Sequence, residues 1–504
     1  MKRYLIPFFS LLGLKAMAQP ATLDTQFGNA GIAVYQSATT SEYNCVVTDA
    51  QGNIFSAGYV LFDQPNGYYR LMVTKTLPNG QLDNSFGNNG AAEITVDASE
   101  FPLEVVLAPD GKILVSGSAY TGHTPSAPGD HLGFLVRLNS NGTLDQAFAQ
   151  GGIFHFMSPD SHFTNIFFRP NGSIVLCGNT NYQSFVLQLQ DNGTPDNQFG
   201  SNGYFFFNTT AFNFGIWSAV YNEDGSIVLA GHEFTNFDDP KLAYCKITAQ
   251  GAYDLTFGDN GYKTLDMYSG QPASFETLTQ IRKGPGGKYY MSGHASSQLM
   301  LRVHTDGRVD STFGVNGVLS HQYPNKDFVV QQDGKLVLIG AKVFTDYNAG
   351  WVVTRLNADG TIDPGFANGQ SFDLDIASGN DYPQDLCIVN DQYLIVAGSS
   401  RENNVEANAT LAKIKLDSGT GIKDNVTLPN IALYPNPVSG VLTLETDEVM
   451  SRFEITDMSG RLVLQHNSLN ATTARINCAF PAGNYIIRVQ FKSGAVYSRT
   501  LSRL

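Results

Sequence analysis

Short apolar runs separated by turn residues recur along most of the chain. Four of them read DGKILVSG, NGSIVLCG, DGSIVLAG and DGKLVLIG, and each places a turn dipeptide before a few apolar residues and a Gly. Apolar runs next to Asn-Gly or Asp-Gly are typical of β-hairpins. Amphipathic runs with helical spacing are scarce, so the pattern predicts an all-β protein.

A ten-residue phrase separates these hairpins and is repeated seven times. The second copy reads QLDNSFGNNG (residues 81–90), and the Asp residues of successive copies lie 51 to 62 positions apart. A regular period of this kind is typical of repeat architectures. The Asp and Phe of the seven copies are Asp24 and Phe27, Asp83 and Phe86, Asp145 and Phe148, Asp196 and Phe199, Asp254 and Phe257, Asp310 and Phe313, and Asp363 and Phe366.

Four strands are predicted for each repeat: one after the phrase, two in the hairpin, and one that leads to the next phrase. Seven such units predict a seven-bladed β-propeller over residues 19–420. No strand precedes the first phrase and no phrase follows the last outgoing strand. The two ends therefore complete one unit, and we expect a closed ring without an exposed edge.

The phrase itself has a structural interpretation. Its Asp can accept hydrogen bonds from backbone N–H groups of the turn, its Gly supplies a positive φ, and its Phe can wedge between neighbouring sheets. The alternative is a Ca²⁺ site, because Asp and Asn supply hard oxygen ligands. The phrase lacks the dense ligand spacing of a calcium loop, so we expect neither a metal ion nor a cofactor.

The phrase and its period resemble the delta-60 repeat, a bacterial β-propeller family of unassigned function. The resemblance covers residues 23–419. Two copies depart from it, with Ala149 and Ala367 in place of the Gly that follows Phe. The family implies a fold and no activity.

The repeat pattern ends after residue 420. A short predicted linker (421–428) is followed by a second predicted domain (429–504). Its strands, without helices, predict a small immunoglobulin-like β-sandwich. The segment resembles the type A C-terminal sorting domain of the type IX secretion system. The resemblance rests on Tyr434, Pro435, Asn436 and Pro437, on Asp457 with Gly460, and on Gly483 with Tyr485. It implies that the secretion machinery is a partner. The alternative is an ordinary binding module.

Residues 1–18 have a positive end, an apolar stretch and a small-x-small site, which predict a secretory signal peptide. The alternatives are a membrane anchor and a buried strand, but the apolar run is too short to span a bilayer. The net charge of -14 disfavours nucleic acids and anionic membranes as partners. We therefore expect a mature chain without a membrane span, monomeric, outside the cell or on its surface.

The sequence shows no convincing catalytic constellation. His232 and His294 each follow a hairpin Gly and could share a metal ion, but no third ligand is evident. Asp373 and Asp375, two positions apart near the predicted inner strand of the last repeat, are the one candidate carboxylate pair for a polysaccharide lyase or hydrolase acting in the channel. Solvated carboxylates at a strand end are the favoured explanation. Five widely spaced cysteines predict buried free thiols; Cys45 with Cys387 is the alternative pairing.

An aromatic residue recurs in the variable loop that follows the first strand of each repeat. If that strand were innermost, these rings would surround the channel mouth and could stack on sugars or peptides. Packing between blades is the favoured explanation, because the position repeats whereas a binding function need not. These residues are Tyr43, Phe101, Phe163, Phe214, Phe275, Tyr323 and Tyr382. We therefore predict a non-enzymatic binding or adhesion propeller with a glycan or protein ligand. The alternatives are a secreted polysaccharide-degrading enzyme and a passive surface scaffold.

Overall fold

The structure is a computed structural model that describes residues 21–63, 67–122, 129–180, 183–209, 212–234, 240–267, 276–321, 325–345, 348–402, 406–416, 431–457, 461–492 and 496–503. The chain divides into two compact units, Met1–Ser418 and Gly419–Leu504. The predicted signal peptide and linker lie outside the described residues. Within the ranges given, no helix is long and apolar enough to cross a membrane.

Antiparallel sheets follow one another along the first unit. Their strands are β1 (Thr22–Leu23), β2 (Ile32–Val34), β3 (Ser41–Thr48), β4 (Ile54–Asp63), β5 (Tyr68–Thr76), β6 (Ala91–Ile94), β7 (Ser99–Leu107), β8 (Ile113–Tyr120), β9 (His131–Leu138), β10 (Ile153–Phe156), β11 (His162–Phe168), β12 (Ile174–Asn179), β13 (Ser184–Leu189), β14 (Tyr204–Phe206), β15 (Asn208–Thr209), β16 (Phe212–Tyr221), β17 (Ile227–Glu233), β18 (Lys241–Ile247), β19 (Tyr262–Leu265), β20 (Thr277–Lys283), β21 (Tyr289–Ala295), β22 (Ser297–Val303), β23 (Val318–His321), β24 (Asp327–Val330), β25 (Leu336–Thr345), β26 (Asn348–Leu356), β27 (Phe372–Leu374), β28 (Tyr382–Val389), β29 (Tyr393–Arg401) and β30 (Ala407–Lys415). Short 3-10 turns occupy Pro285–Gly287 and Ala367–Gly369.

The sheets form the seven blades of a propeller. Blades 1 to 6 contain β3–β6, β7–β10, β11–β14, β15–β19, β20–β23 and β24–β27, and blade 7 combines β28–β30 with β1 and β2. In blade 7, Ile32 pairs with Ala412 and Leu23 with Ile414. The first strands of the chain thus complete the last blade. The predicted all-β fold, seven blades and ring closure are confirmed.

The order of strands within a blade differs from the order assumed for the predicted channel mouth, in which the first strand of each repeat is innermost. The strands that touch their counterparts in both neighbouring blades are β3, β7, β11, β16, β20, β24 and β28, and these contacts form a closed cycle. They are therefore the inner strands. The strand after the phrase, such as β6, lies at the far edge of the preceding blade. The first strand of the sequence repeat is outermost, not innermost.

The hairpin glycine lies inside the second strand of each blade, where it faces the inner strand. A Cβ on Gly58 would lie 1.8 Å from the carbonyl oxygen of Glu42, and one on Gly231 would lie 1.8 Å from that of Gly215. The inner strand carries a β-bulge at this level in blades 1 to 5 and in blade 7. Glycine is required here because the bulged backbone passes too close for any side chain.

The repeated phrase forms the same turn in every blade. The Ser85 backbone N–H donates to Asp83 Oδ1 (3.0 Å), and the equivalent bond is present in the other six copies. All seven phrase Phe side chains are at most 1% exposed. Ala149 and Ala367 adopt φ of 45° and 46°, close to the 53° of Gly87, so the turn is retained where Gly is replaced.

Each phrase Asp is also held by a side chain from the neighbouring strand, which lies eight positions earlier in the chain except at the closure of the ring. These pairs are Lys413 with Asp24 (3.1 Å), Lys75 with Asp83 (2.8 Å), Arg137 with Asp145 (2.8 Å), Gln188 with Asp196 (2.6 Å), Lys246 with Asp254 (3.0 Å), Arg302 with Asp310 (2.8 Å) and Arg355 with Asp363 (2.7 Å). The first pair spans the closure. The spacing of Lys, Arg or Gln eight residues before Asp is present in the sequence, but the sequence-based predictions did not include it.

The same arginines join neighbouring blades. Arg137 Nη1 donates to the carbonyl oxygen of Asp191 (2.5 Å), and the Arg137 guanidinium lies 4.4 Å from the centre of the Phe148 ring. Beside them, the Ala149 N–H donates to the carbonyl oxygen of Asn192 (2.8 Å). Since such bonds recur around the ring, the phrase ties each blade to the next.

The apolar core lies between adjacent blades. One cluster, for example, combines Phe55 and Leu71 of blade 1 with Val105 and Ile113 of blade 2. All five cysteines are free, and Cys45, Cys177, Cys245 and Cys478 are buried. The prediction of free thiols is confirmed, and Cys45 does not pair with Cys387.

The C-terminal unit is one curled sheet of five strands. These are β31 (Ile431–Tyr434), β32 (Val441–Asp457), β33 (Leu462–Asn477), β34 (Gly483–Phe491) and β35 (Val496–Arg503). The first half of β32 pairs with β31 and β33, and its second half pairs with β33 and β34. Burial alternates along β34, which packs Ile487 and Val489 into the core. The arrangement is in keeping with the predicted small β-sandwich.

Candidate functional site

The propeller has two different faces. We call the edge where the inner strands end the phrase face, because the hairpin turns and the repeated phrases lie there. We call the edge where the inner strands begin the loop face, because it carries the connections that vary between repeats. The direction of the antiparallel strands fixes both assignments.

Most of the described aromatic candidates for the channel mouth lie inside the protein. Tyr43 is 2% exposed and its phenol oxygen accepts a hydrogen bond from the Thr74 hydroxyl (2.9 Å), while Phe163 and Phe214 are fully buried. These three belong to inner strands and pack between blades, so they offer no accessible ring. Their predicted contact with a ligand has no support in this arrangement.

The other predicted rings are placed differently. Tyr382 is 39% exposed at the start of β28, and Phe101 is half-buried near the start of β7. Phe275 and Tyr323 lie outside the described residues. Ligand contact by Phe101 and Tyr382 stays a prediction.

Phe101 belongs to a cluster of aromatic rings on the loop face of blades 1 and 2. Its ring lies 6.0 Å from those of Tyr59 and Tyr69 and 6.1 Å from that of His131, and His131 lies 5.3 Å from Tyr120. His131 is exposed, and the other four side chains are half-buried. We call these five residues the tyrosine patch. They come from several strands of two blades, so no regular spacing in the sequence predicts this cluster.

An ion pair lies beside this patch. Arg401 Nη2 lies 2.8 Å from Glu42 Oε1, and Glu42 also contacts Tyr59. Burial, followed by the nearby Glu42 carboxylate, raises the pKa of Tyr59. The Tyr59 hydroxyl is therefore uncharged at neutral pH, so this side chain combines an apolar ring face with a neutral hydroxyl group.

A second exposed aromatic group lies on blade 4. Trp217, the bulge residue of β16, is 50% exposed, and its Nε1–H donates to Nδ1 of His232 (3.1 Å). The His232 ring lies 5.4 Å from that of Phe234. Burial lowers the pKa of His232 to about 4. We call Trp217, His232 and Phe234 the tryptophan group.

The histidine pair considered for a metal ion has another arrangement. Among the described residues, no group of three or more His, Cys, Asp or Glu side chains could hold a metal ion. His232 Nδ1 instead accepts the indole N–H of Trp217. The metal interpretation of His232 and His294 therefore has no third ligand in the part of the chain that the structure describes.

Seven residues at one register position, each paired with the residue before a hairpin Gly, line the centre of the ring. They are Cys45, Glu104, Asn165, Ser218, Gln280, Asp327 and Asp385. Two positions further along each inner strand stand Val47, Val106, Phe167, Val220, Arg282, Val329 and Cys387. Arg282 is thus the one charged member of its ring of seven.

Arg282 connects the carboxyl groups of the first ring. Its Nη2 donates to both carboxylate oxygens of Asp327 (2.7 and 2.8 Å), and it also acts electrostatically on Asp385 and on Glu104, which belongs to the far side of the ring. Asp385 Oδ2 accepts the Val46 N–H across the closure between blades 7 and 1 (2.7 Å). These bonds hold inner strands of several blades together.

Two of these carboxyl groups are strongly perturbed. Burial, followed by the neighbouring Asp327 carboxylate, raises the pKa of Asp385. Burial also raises the pKa of Glu104 to about 8, against the opposing hydrogen bond from Ile166 N–H. We expect both groups to titrate far above the usual range of carboxylic acids.

The carboxylate pair considered from the sequence does not line the channel. Asp373 and Asp375 lie on or next to β27, the outermost strand of blade 6. Asp373 forms an ion pair with Lys342 (2.7 Å), and Asp375 accepts hydrogen bonds from the Asn348 amide (3.2 Å). The proposed location was wrong because the strand after the phrase is the outer one.

In the C-terminal unit, the predicted sorting residues hold turns and strand ends. The Tyr434 hydroxyl donates to Glu445 (2.8 Å), and Asn436 Oδ1 accepts the Ser502 N–H (2.9 Å) between two cis peptide bonds that precede Pro435 and Pro437. Asp457 pairs with Arg461 (3.0 Å), and the Tyr485 hydroxyl donates to the Pro481 carbonyl (2.7 Å). Gly483 starts β34 at φ 154°, and Gly460 lies outside the described residues.

Family models match both units. Residues 432–501 match the secretion system C-terminal sorting domain. Residues 108–148, 169–199 and 331–366 match a β-propeller family described as a domain of unknown function, DUF5122, which is consistent with the delta-60 resemblance. The C-terminal domain indicates export by type IX secretion to the cell surface or the extracellular space.

Solved structures with similar folds are only remotely related. Virginiamycin B lyase from Staphylococcus aureus is 13% identical, with 76% of this chain and 99% of that chain covered and a TM-score of 0.43. A protein of unknown function from Dyadobacter fermentans is 10% identical, with 77% and 98% covered and a TM-score of 0.42. No curated protein matches the chain in sequence. Structural similarity with TM-scores below 0.5 supports no conclusion about the activity of this protein.

Proposed function

We propose that this exported propeller is a binding protein that takes a polysaccharide at the tyrosine patch of its loop face. The observation that carries the proposal is the patch itself, five partly accessible rings gathered from two blades. The aromatic candidates Phe163 and Phe214 of blades 3 and 4, by contrast, are fully buried. Clustered accessible rings on a soluble surface favour a binding role.

The charge of the protein favours an uncharged ligand. The net charge is -14, although Lys and Arg outnumber Asp and Glu seven to five in residues 431–504. The acidic excess therefore lies in the rest of the chain, where it repels anionic polymers. Neutral hydroxyl groups beside ring faces suit a sugar, which offers C–H faces to the rings and hydroxyl groups to hydrogen-bond.

We propose binding rather than catalysis because the carboxyl groups of the channel are already engaged. The Asp327 carboxylate accepts hydrogen bonds from Arg282 and from the Phe328 N–H, and that of Asp385 accepts them from Val46 and Leu386 N–H groups. Glycoside hydrolysis needs two carboxyl groups on either side of the bond to be broken. Groups committed to the protein in this way are better suited to holding the ring.

A glycan array probed with the purified exported protein tests this proposal. We expect wild type to bind neutral polysaccharides, and Tyr120→Ala with His131→Ala to weaken binding about tenfold or more, since clustered interface aromatics contribute disproportionately to affinity. Leu255→Ala is the matched control, because Leu255 is 69% exposed in a phrase on the opposite face.

Three results would count against the proposal. The wild-type protein could bind no glycan on the array, or the double variant could bind as well as wild type. In a pull-down of extracellular material with the purified protein, the bound material could be removed by protease and not by glycosidases. The last result would identify a protein ligand.

A further inference from the structure

Trp217 is more exposed than any other described aromatic side chain of the inner strands. The protein has two tryptophans; Trp351 is 1% exposed in β26, whereas Trp217 is 50% exposed. Trp217 is the extra residue of the β-bulge between Ile216 and Ser218. A bulge turns a side chain out of the regular alternation of a strand, which explains why this ring is not packed between blades.

The orientation of the indole is fixed by its neighbours. Its N–H donates to His232 Nδ1, and the same nitrogen lies 3.3 Å from the Thr277 hydroxyl of blade 5. The imidazole lies over Gly215, where a Cβ would be 2.7 Å from His232 Cε1. Glycine at position 215 therefore makes the space in which His232 holds Trp217.

This arrangement persists over a wide pH range. Burial lowers the pKa of His232 to about 4, so the imidazole is neutral at pH 6 to 8 and its Nδ1 remains an acceptor. The hydrogen-bonding groups next to the indole, His232 and Thr277, are then uncharged. With its only polar group already bonded, the indole offers a ligand the faces of its ring.

We propose that Trp217 is a preformed stacking platform for a neutral sugar ring, a second subsite on the loop face. This inference rests on the proposed function for the class of ligand. A charged partner is disfavoured because the groups that hold the platform are neutral, and anions are repelled by the chain as a whole. A ring held in one orientation loses little conformational entropy on binding.

The position of Trp217 also sets the size of the ligand. The tyrosine patch belongs to blades 1 and 2, and Trp217 belongs to the inner strand of blade 4, with blade 3 between them. A saccharide of a few residues can occupy one subsite, whereas a polymer can reach both. Simultaneous contact strengthens binding without any new group, so affinity should rise steeply once the chain spans the mouth.

Tryptophan fluorescence tests the inference directly because only Trp217 is accessible. We would titrate the purified exported protein with laminarin, xyloglucan and galactomannan, with their short oligosaccharides, and with polygalacturonate as the anionic comparison. We expect a neutral polymer to shift the emission and to protect the protein from acrylamide quenching. Trp217→Phe, in which Trp351 alone emits, should show neither change.

Affinity measured by calorimetry supplies the second readout. Trp217→Ala should weaken binding of the polymer about tenfold, as expected for loss of one stacked ring, and should weaken binding of the short oligosaccharides less. His232→Ala, which leaves the indole in place without its anchor, should have a smaller effect than Trp217→Ala. Since Trp217 is half exposed, we expect Trp217→Ala to fold.

The outcomes separate the two proposals. If a neutral polymer binds wild type but neither the emission nor the affinity depends on Trp217, the stacking inference is overturned and the tyrosine patch remains the proposed site. If polygalacturonate is the polymer that shifts the emission, the assignment to a neutral sugar is wrong. If wild type binds none of these polymers, the proposed function fails and this inference fails with it.

Discussion

The two faces of the propeller are built from different kinds of residue. On the phrase face the same Asp, Phe and preceding cation recur in nearly every blade, and Gln188 is the one departure among the cations. On the loop face, Trp217 and the tyrosine patch each occur once. The repeated residues therefore stabilise the fold, because every blade needs the same turn and the same buried aromatic side chain. The groups suited to binding are those that the repeat does not explain.

The centre of the ring shows the same contrast on a smaller scale. Six of seven blades place an uncharged residue two positions after the polar ring, and blade 5 places Arg282 there. Arg282 reaches Asp327 of the next blade and acts on carboxyl groups across the channel. A single departure from the repeat is enough to link four blades.

Removing a phrase Phe should have the largest effect on stability. Phe148 is fully buried beneath the Arg137 guanidinium, so Phe148→Ala should lower the free energy of unfolding by about 3–5 kcal/mol. Guanidinium chloride denaturation followed by fluorescence measures the change. Loss of less than about 1 kcal/mol would show that the phrase does not hold the blades together.

Breaking a phrase ion pair should cost somewhat less. Arg355 Nε bonds Asp363, and its Nη1 bonds the Leu416 carbonyl (3.0 Å), so Arg355→Ala leaves a buried carboxylate with Lys335 at 3.5 Å as its remaining cation. We expect a loss of about 3 kcal/mol. Arg355→Gln should lose less, since Gln188 holds Asp196 at 2.6 Å in blade 3. Equal losses in the two variants would contradict this account of the pair.

The channel should make stability depend on pH. The pKa of Glu104 is raised from its ordinary value of 4.5 to about 8, so its proton favours the folded state. This contribution is complete below about pH 4.5 and is lost as the pH rises to about 8. Melting temperatures should fall over that window in wild type and fall less in Glu104→Gln. An unchanged pH dependence in the variant would mean that Glu104 does not titrate there.

Truncation on the loop face should have the smallest effect on stability. Tyr120→Ala with His131→Ala removes accessible side chains, and we expect each substitution to change the free energy of unfolding by no more than about 0.5 kcal/mol. The same denaturation series as for Phe148→Ala measures it. A loss comparable to that of the Phe variant would assign the patch to packing and remove the contrast between the faces.

The sequence allowed the number of blades and the closure of the ring to be predicted, because both follow from a period and from turn residues. It did not allow the order of strands to be predicted, since in a circular repeat the strand after the phrase can begin one unit or end the previous one. That ambiguity misplaced Asp373 in the channel. Tyr43, Phe163 and Phe214 do lie on inner strands, but their rings pack between blades.

The candidate site could be predicted only in part. Phe101 was recognised, but its companions come from other strands and from a second blade, where no spacing along the chain connects them. Trp217 escaped notice because a β-bulge depends on how two strands pair and leaves no mark in the sequence of either. By contrast, the cationic side chain eight residues before most phrase Asp residues could have been recognised from the sequence.

Hydrogen exchange of the exported protein, with and without the polysaccharide that the array identifies, tests the central claim most directly. Bound ligand should slow exchange in peptides of the loop face, such as 56–62, 99–103 and 117–121, and leave the phrase segments 24–31 and 83–90 unchanged. Protection of the phrase segments with an unchanged loop face would contradict the claim that repeated residues hold the ring and unrepeated residues bind.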